Sequence, residues 1–115
     1  MKLIDKKISK KELQKIAEER FGDLVKAVVD ITKEIMVVGG ELHSDEESML
    51  LEKHGSMQND LWGINLYPVN TDDQFIEFDS IINIRPSIDN RSRDVTNPKI
   101  RKKIIDIINK LIREN

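Results

Sequence analysis

The hydrophobic pattern changes period several times along the chain, and each change predicts an element. A short apolar start at Met1 to Ile4 suits an edge strand. Ser9 with Glu12 three residues on then forms a capping box, and Ile8 before the cap is placed to pack on Leu13. Leu13, Ile16, Ala17 and Phe21 recur on one face, so a helix is expected from Lys10 to about Phe21, with Gly22 as a left-handed stop. Leu24 to Gly40 is ambiguous by period alone: Leu24, Val28, Ile31, Ile35 and Val38 match a helical seam, while Val25, Ala27, Val29 and Ile31 alternate as a strand does. The density of Val and Ile favours the pleated surface, and Thr32-Lys33 divides the stretch into two strand-length pieces. A pair of strands ending at Gly39-Gly40 is therefore the expectation.

Ser44 and Glu47 repeat the capping-box spacing, and Asp45, Glu46 and Glu47 put acids where a helix dipole favours them. This second helix is expected to stop at Gly55. Leu61 to Tyr67 reads as a strand closed by Pro68, and Asn70 to Asp73 as a turn. Phe75 to Arg85 follows as one long strand, with Ile76, Phe78, Ile82 and Ile84 alternating toward the core. Pro86 to Pro98 shows no period and is a long connection for so small a domain. Asn97 caps and Pro98 opens a final helix with its apolar face on Ile100, Ile104, Ile107, Ile108, Leu111 and Ile112. The order β-α-β-β-α-β-β-α predicts an α+β domain with a mostly antiparallel sheet of four to five strands and three helices. No repeat or linker interrupts residues 1–115, which form one domain.

Composition narrows the function classes. At 115 residues, with 38% hydrophobic and 35% charged positions, the chain is long enough for one core. The absence of cysteine removes thiol nucleophiles, Cys-based zinc sites and disulfides. No segment approaches 18 consecutive apolar residues and the N-terminal stretch lacks an apolar export core, so a cytoplasmic protein that does not enter a membrane is expected. Charge is uneven: residues 1–40 hold 9 basic and 7 acidic side chains, 41–79 hold 1 and 10, and 80–115 hold 9 and 4. A formal net charge of −2 and few aromatics argue against nucleic acid as partner.

Two constellations carry candidate chemistry. On one continuous strand, Glu77, Asp79, Asn83 and Arg85 would share the face opposite the core. A solvated outer face is the plainer explanation of such a row, but Arg85 leads directly into Asn90-Arg91-Ser92-Arg93. Arginine forks with Ser and Asn donors suit carboxylates and phosphates, so Arg85, Asn90, Arg91, Ser92 and Arg93 form a candidate anion cradle, extended by Arg101 in the first turns of the last helix. Pairing with the chain's own carboxylates is the competing reading. The second constellation is Gly39-Gly40-Glu41-Leu42-His43-Ser44-Asp45, where His43, aided by Glu41, is a candidate general base. A backbone hydrogen bond is the commoner role of such a histidine. No spacing diagnostic of a metal or cofactor site is present, and none is expected.

The segments GGELHSDEE, LWGINLYP, FDSIINIRPS and NRSR, followed by a Pro-opened terminal helix, resemble a small bacterial family of uncharacterised domains over Val25 to Ile112. That resemblance implies no activity, cofactor or catalytic residue. The residues alone lead to a binding domain for an anionic ligand, a phosphate- or carboxylate-bearing molecule, with hydrolysis at His43 as its extension. A non-catalytic module that pairs its acidic and basic surfaces with another protein, or with its own copy, is the alternative.

Overall fold

The computed structural model describes residues 1–114, and its elements follow the predicted order closely. Strand β1 (Lys2–Ile4) is followed by β2 (Ile8–Ser9) and helix α1 (Lys10–Arg20). The hairpin β3 (Val25–Asp30) and β4 (Ile35–Val38) leads to α2 (His43–Lys53), then β5 (Leu61–Leu66), β6 (Ile76–Glu77), α3 (Pro98–Leu111) and β7 (Ile112–Arg113). Five strands form an antiparallel sheet in the order β1-β4-β3-β5-β6, and β2 pairs parallel with β7 in a separate two-stranded ribbon that the hydrophobic pattern did not announce. The architecture is α+β with three helices, as expected.

Local chemistry explains several boundaries. Ser9 Oγ accepts the Glu12 N–H at 3.1 Å, so the first capping interaction forms as the spacing predicts. Asn97 Oδ1 accepts from the N–H groups of both Lys99 and Ile100, and Pro98 occupies the first turn of α3. The β3–β4 turn is organised by Asp30. Its Oδ1 accepts from the N–H groups of Thr32 and Lys33, and its Oδ2 takes the Ser56 hydroxyl. Two strands, and no helix, therefore occupy the ambiguous segment.

Both faces of the sheet are covered. On one face, Val25, Ala27, Val29, Trp62, Ile64 and Leu66 belong to a core shared with Leu13 and Ala17 of α1 and with Ile104, Ile107, Ile108 and Leu111 of α3. Each such buried aliphatic side chain contributes about 1.5–3 kcal/mol gross, so the strong apolar face of α3 anchors that layer. On the other face, Val28, Val37 and Leu61 pack under Leu50 of α2. The opposite parity of Trp62 and Tyr67 on the strand is realised, with Trp62 buried in the larger core and Tyr67 partly exposed.

Two expectations are corrected. The long strand Phe75 to Arg85 shrinks to Ile76–Glu77 and continues as single 3₁₀ turns at Ile81–Asn83 and Pro86–Ile88. The cause lies at Gly63, whose N–H donates to Asn83 Oδ1 at 2.8 Å while its carbonyl accepts from Asn83 Nδ2 at 2.9 Å. A side-chain amide thus replaces the next residue of a partner strand. Ser80 fits over Gly63 only because no Cβ stands there: one would lie 2.6 Å from the Ser80 Cβ. Glu77, Asp79, Asn83 and Arg85 consequently do not share one strand face. Ile76 and Phe78 pack on the larger core, Ile82 on the smaller one, and Ile84 is exposed.

The second capping box also fails to form. Helix α2 starts two residues earlier, with Leu42 at its N-cap and no side-chain cap bond, because the acids expected to serve the helix are used elsewhere. Glu47 pairs with Arg85, and Glu46 Oε2 accepts the Gly40 N–H at 2.8 Å. A Cβ at Gly40 would come within 2.7 Å of Glu46 Cγ, so the glycine is what admits this carboxyl.

Candidate ligand-binding site

The predicted arginines are placed in different environments and do not form a single cradle. Arg85 lies inside: Nη1 donates to the Leu61 carbonyl, Nη2 to Glu47 Oε2 at 3.0 Å, and the guanidinium sits 5.2 Å from the Trp62 ring. It fastens the 3₁₀ segment to β5 and α2. Burial lowers its pKa from the ordinary value, against the opposing pull of Glu47. Asn90 is equally internal. Its Nδ2 donates to the carbonyls of Asn83, Ser92 and Asp94, and its Oδ1 accepts from the Thr96 N–H and hydroxyl. Ser92 Oγ accepts the Asp94 N–H at 3.2 Å. The long connection is closed by these bonds and by the backbone pairing of Arg85 with Asn90.

Arg91 and Arg93 are at the surface. Arg91 Nε stands 3.6 Å from Asp89 with both side chains largely exposed, a pair worth about 0–1 kcal/mol. Arg93 Nε donates to Asp79, whose carboxylate raises the arginine pKa above its usual value. Carboxylates of this same chain thus reach every predicted arginine. Asp89, Asp94 and Asp79 lie within the same loop or on the segment beside it, whereas Glu47 comes from α2, 38 residues from Arg85, so the competing reading of pairing within the chain holds for all four.

His43 and Glu41 part company in the same way. His43 is buried with Nε2 2.8 Å from the Ile64 carbonyl, and burial lowers its pKa, so the neutral ring donates there. Lys26, Asp79 and Arg93 also act on it electrostatically, Lys26 and Arg93 lowering its pKa and Asp79 raising it. Glu41 is exposed and joins no ion pair among the described residues. One turn beyond His43, the fully buried Glu46 is pushed up to about 9 by burial, and its Oε1 has no partner among the described residues. Asn65 Oδ1, on the cross-strand neighbour of Lys26, is also buried and unpaired, while its Nδ2 donates to Glu77 Oε1 at 2.9 Å. No group of three or more His, Asp or Glu side chains among the described residues is arranged to hold a metal ion.

The concave site lies on the other side of the sheet. A groove of about 530 Å³ runs between α3 and the segment Asp72 to Phe78, with Phe75, Ile76, Phe78, Ile105, Ile108 and Ile112 among its walls. That volume is in the range of small-molecule pockets. Arg101 stands at the end of α3 nearer its N-terminus, its guanidinium 4.1 Å from the Phe78 ring centre. Nη1 donates to Asp94 and to the Val95 carbonyl, whereas no described residue accepts from Nε or Nη2. At the far end, Lys10 lies 4.8 Å over Phe75 and 3.4 Å from Glu114, near Asp72 and Asp73. Of the predicted arginines, Arg101 alone lines this groove.

A family model described as a protein of unknown function, DUF5674, matches residues 2–111. The chain belongs to the DUF5674 family. No curated protein and no solved structure matches it. Among the described residues of this DUF5674 chain, no helix is long and apolar enough to cross a membrane. The groove was missed in the sequence because Phe75 and Phe78 read as parts of one continuous strand, Phe78 on its core face. The usable signal was Ile105, which widens the apolar stripe of α3 beyond what the sheet covers and stays 38% exposed.

Proposed function

We propose that the protein is a binding domain for a small ligand carrying an anionic group on an apolar body, seated in the groove beside α3. The observation that carries this reading is Arg101. It stands at the mouth of a groove that is apolar along Phe75, Phe78, Ile105 and Ile108 and polar elsewhere, already stacked on Phe78, with one edge of its fork unengaged. Guanidinium groups use such an edge to take carboxylate or phosphate oxygens in pairs. The aromatic stacking holds the side chain in place before the ligand arrives, which lowers the ordering cost of binding. Hydrolysis at His43 draws no support from a ring held inside the fold with Nε2 committed to Ile64.

Octanoate is the minimal probe, with octanol as its uncharged control. Octanoate should raise the melting temperature and shift the amide resonances of Phe78 and Ile105, and Arg101→Gln should remove both effects. Octanol binding as tightly as octanoate, or octanoate binding unchanged in R101Q, would overturn the reading. The alternative of an interaction module draws on Leu42, Met57 and Ile81, large apolar side chains that are more than half exposed. Sedimentation at low and high salt tests it: association through these apolar side chains persists as salt rises, whereas association through separated charge weakens.

A further inference from the structure

Strand β6 closes the sheet on one side, and its outer edge has no partner strand among the described residues. The Tyr67 N–H donates to the Phe75 carbonyl at 2.9 Å, and Asn65 stands opposite Glu77. Alternation in an antiparallel pair then directs the main chain of Phe75 and Glu77 toward β5 and that of Ile76, between them, away from it. No loop, turn or side chain among the described residues hydrogen-bonds the Ile76 N–H or carbonyl. Ile76 also lines the groove, so a donor and an acceptor of the backbone belong to a wall of a channel with mixed apolar and polar lining that ends at a guanidinium.

We propose that this groove takes the C-terminal four or five residues of a peptide, extended alongside β6, with its main chain bonded to Ile76 and its terminal carboxylate on the free edge of Arg101. This rests on the ligand reading above and names the ligand. The length follows from α3: from Arg101 to Leu111 the helix advances about 15 Å at 1.5 Å per residue, which an extended chain covers in about four to five residues. Direction follows from Arg101, which stacks on Phe78, one residue past the end of β6. A carboxylate there makes the peptide run parallel to β6, and in parallel pairing the N–H and carbonyl of one residue bracket one residue of the neighbour. That bracketed residue points its side chain to the same side as Ile76, against Ile105 and Ile108, which selects an apolar residue. At the opposite end, Asp72 and Asp73 have no ion pair among the described residues and favour a basic residue near the start of the bound segment. The unpaired edge is only two residues long. Main-chain bonding alone therefore gives little affinity, and the carboxylate supplies the selectivity.

The test uses the full chain and the pentapeptide Lys-Thr-Val-Thr-Leu in two forms, one with a free terminal carboxylate and one amidated, with octanoate in parallel. The free acid should bind about tenfold or more tightly than the amide, as expected for a charge-assisted hydrogen-bonded pair. At saturation it should slow hydrogen exchange of the Ile76 amide about tenfold or more, whereas octanoate, lacking a main chain, should leave that amide unchanged. Equal binding of acid and amide, or unchanged Ile76 exchange with the peptide bound, would overturn the proposal. If octanoate binds and the peptide does not, the peptide proposal fails and the ligand reading stands. If neither binds, both fail.

Discussion

Replacing Glu46 by glutamine should stabilise this protein at neutral pH, by an amount that grows as pH rises. Glu46 is fully buried, accepts one hydrogen bond from the Gly40 N–H and has its pKa pushed from 4.5 up to about 9 by burial. Lys26, the N-terminus and Asp45 also act on it, and Lys26 pulls in the opposite direction to burial. Between pH 4.5 and about 9 the folded chain holds a proton that the unfolded chain has released, so stability falls with rising pH across that window. At about 1.4 kcal/mol for each pH unit above 4.5, holding the proton at pH 7 costs the folded state about 3 kcal/mol.

Glutamine keeps the shape and the acceptor for Gly40 without needing a proton. Its amide nitrogen replaces an oxygen that has no partner among the described residues, so that position neither gains nor loses a hydrogen bond. The expected outcome is a gain for Glu46→Gln of less than 1 kcal/mol at pH 5 and about 3 kcal/mol at pH 7, of order 10 °C in melting temperature at the latter. Urea unfolding followed by fluorescence of Trp62, the single tryptophan and 1% exposed, measures it. His43 contributes with the opposite sign. Its folded pKa lies below the usual 6.5, so its effect is a stability that rises as pH approaches 6.5 and is then constant. It is present in both proteins and cancels in their difference. A difference that stays flat from pH 5 to pH 8 would refute the reasoning.

Asn83→Ala should destabilise by about 3 kcal/mol, since it leaves the Gly63 N–H and carbonyl unpaired inside the sheet; equilibrium unfolding checks it. Gly63→Ala should cost about 1–3 kcal/mol by driving a methyl group into Ser80, and the double variant with Ser80→Gly should recover part of that loss, a coupling that a double-mutant cycle reads directly. Hydrogen bonds from Lys110 and Lys103 hold Glu34 down at about 2, so its contribution is complete above pH 4.5 and is lost as pH falls toward 2. Glu34→Gln should therefore flatten the acid side of the stability profile while leaving slopes above pH 5 unchanged.

Elements whose signal is local could be read from the chain alone. The caps at Ser9 and Asn97, the apolar stripes of α1 and α3 and the alternation of Val25, Ala27 and Val29 in β3 each depend on neighbours within a few residues. So the α+β class, the three helices, the hairpin and the single long connection were all legible. The failures occur where a partner from a distant segment outbids a local preference. Glu47 leaves its cap for Arg85, 38 residues away, and Asn83 takes over strand pairing from 20 residues beyond Gly63. Pairing of the arginines with the chain's own carboxylates was one of the readings open in the sequence, but which carboxylate meets which arginine was not legible, because loop closure brings Asp79, Glu47 and Asp94 to them and local pattern holds no record of loop geometry. The groove is the extreme case. Arg101 stands out in the sequence as an anion-binding candidate, but Phe75, Phe78 and Ile105 look ordinary, and only the premature end of β6 beside α3 turns the four into one concave surface. Periodicity determines which faces must be buried, while the meeting of those faces determines where a hollow is left.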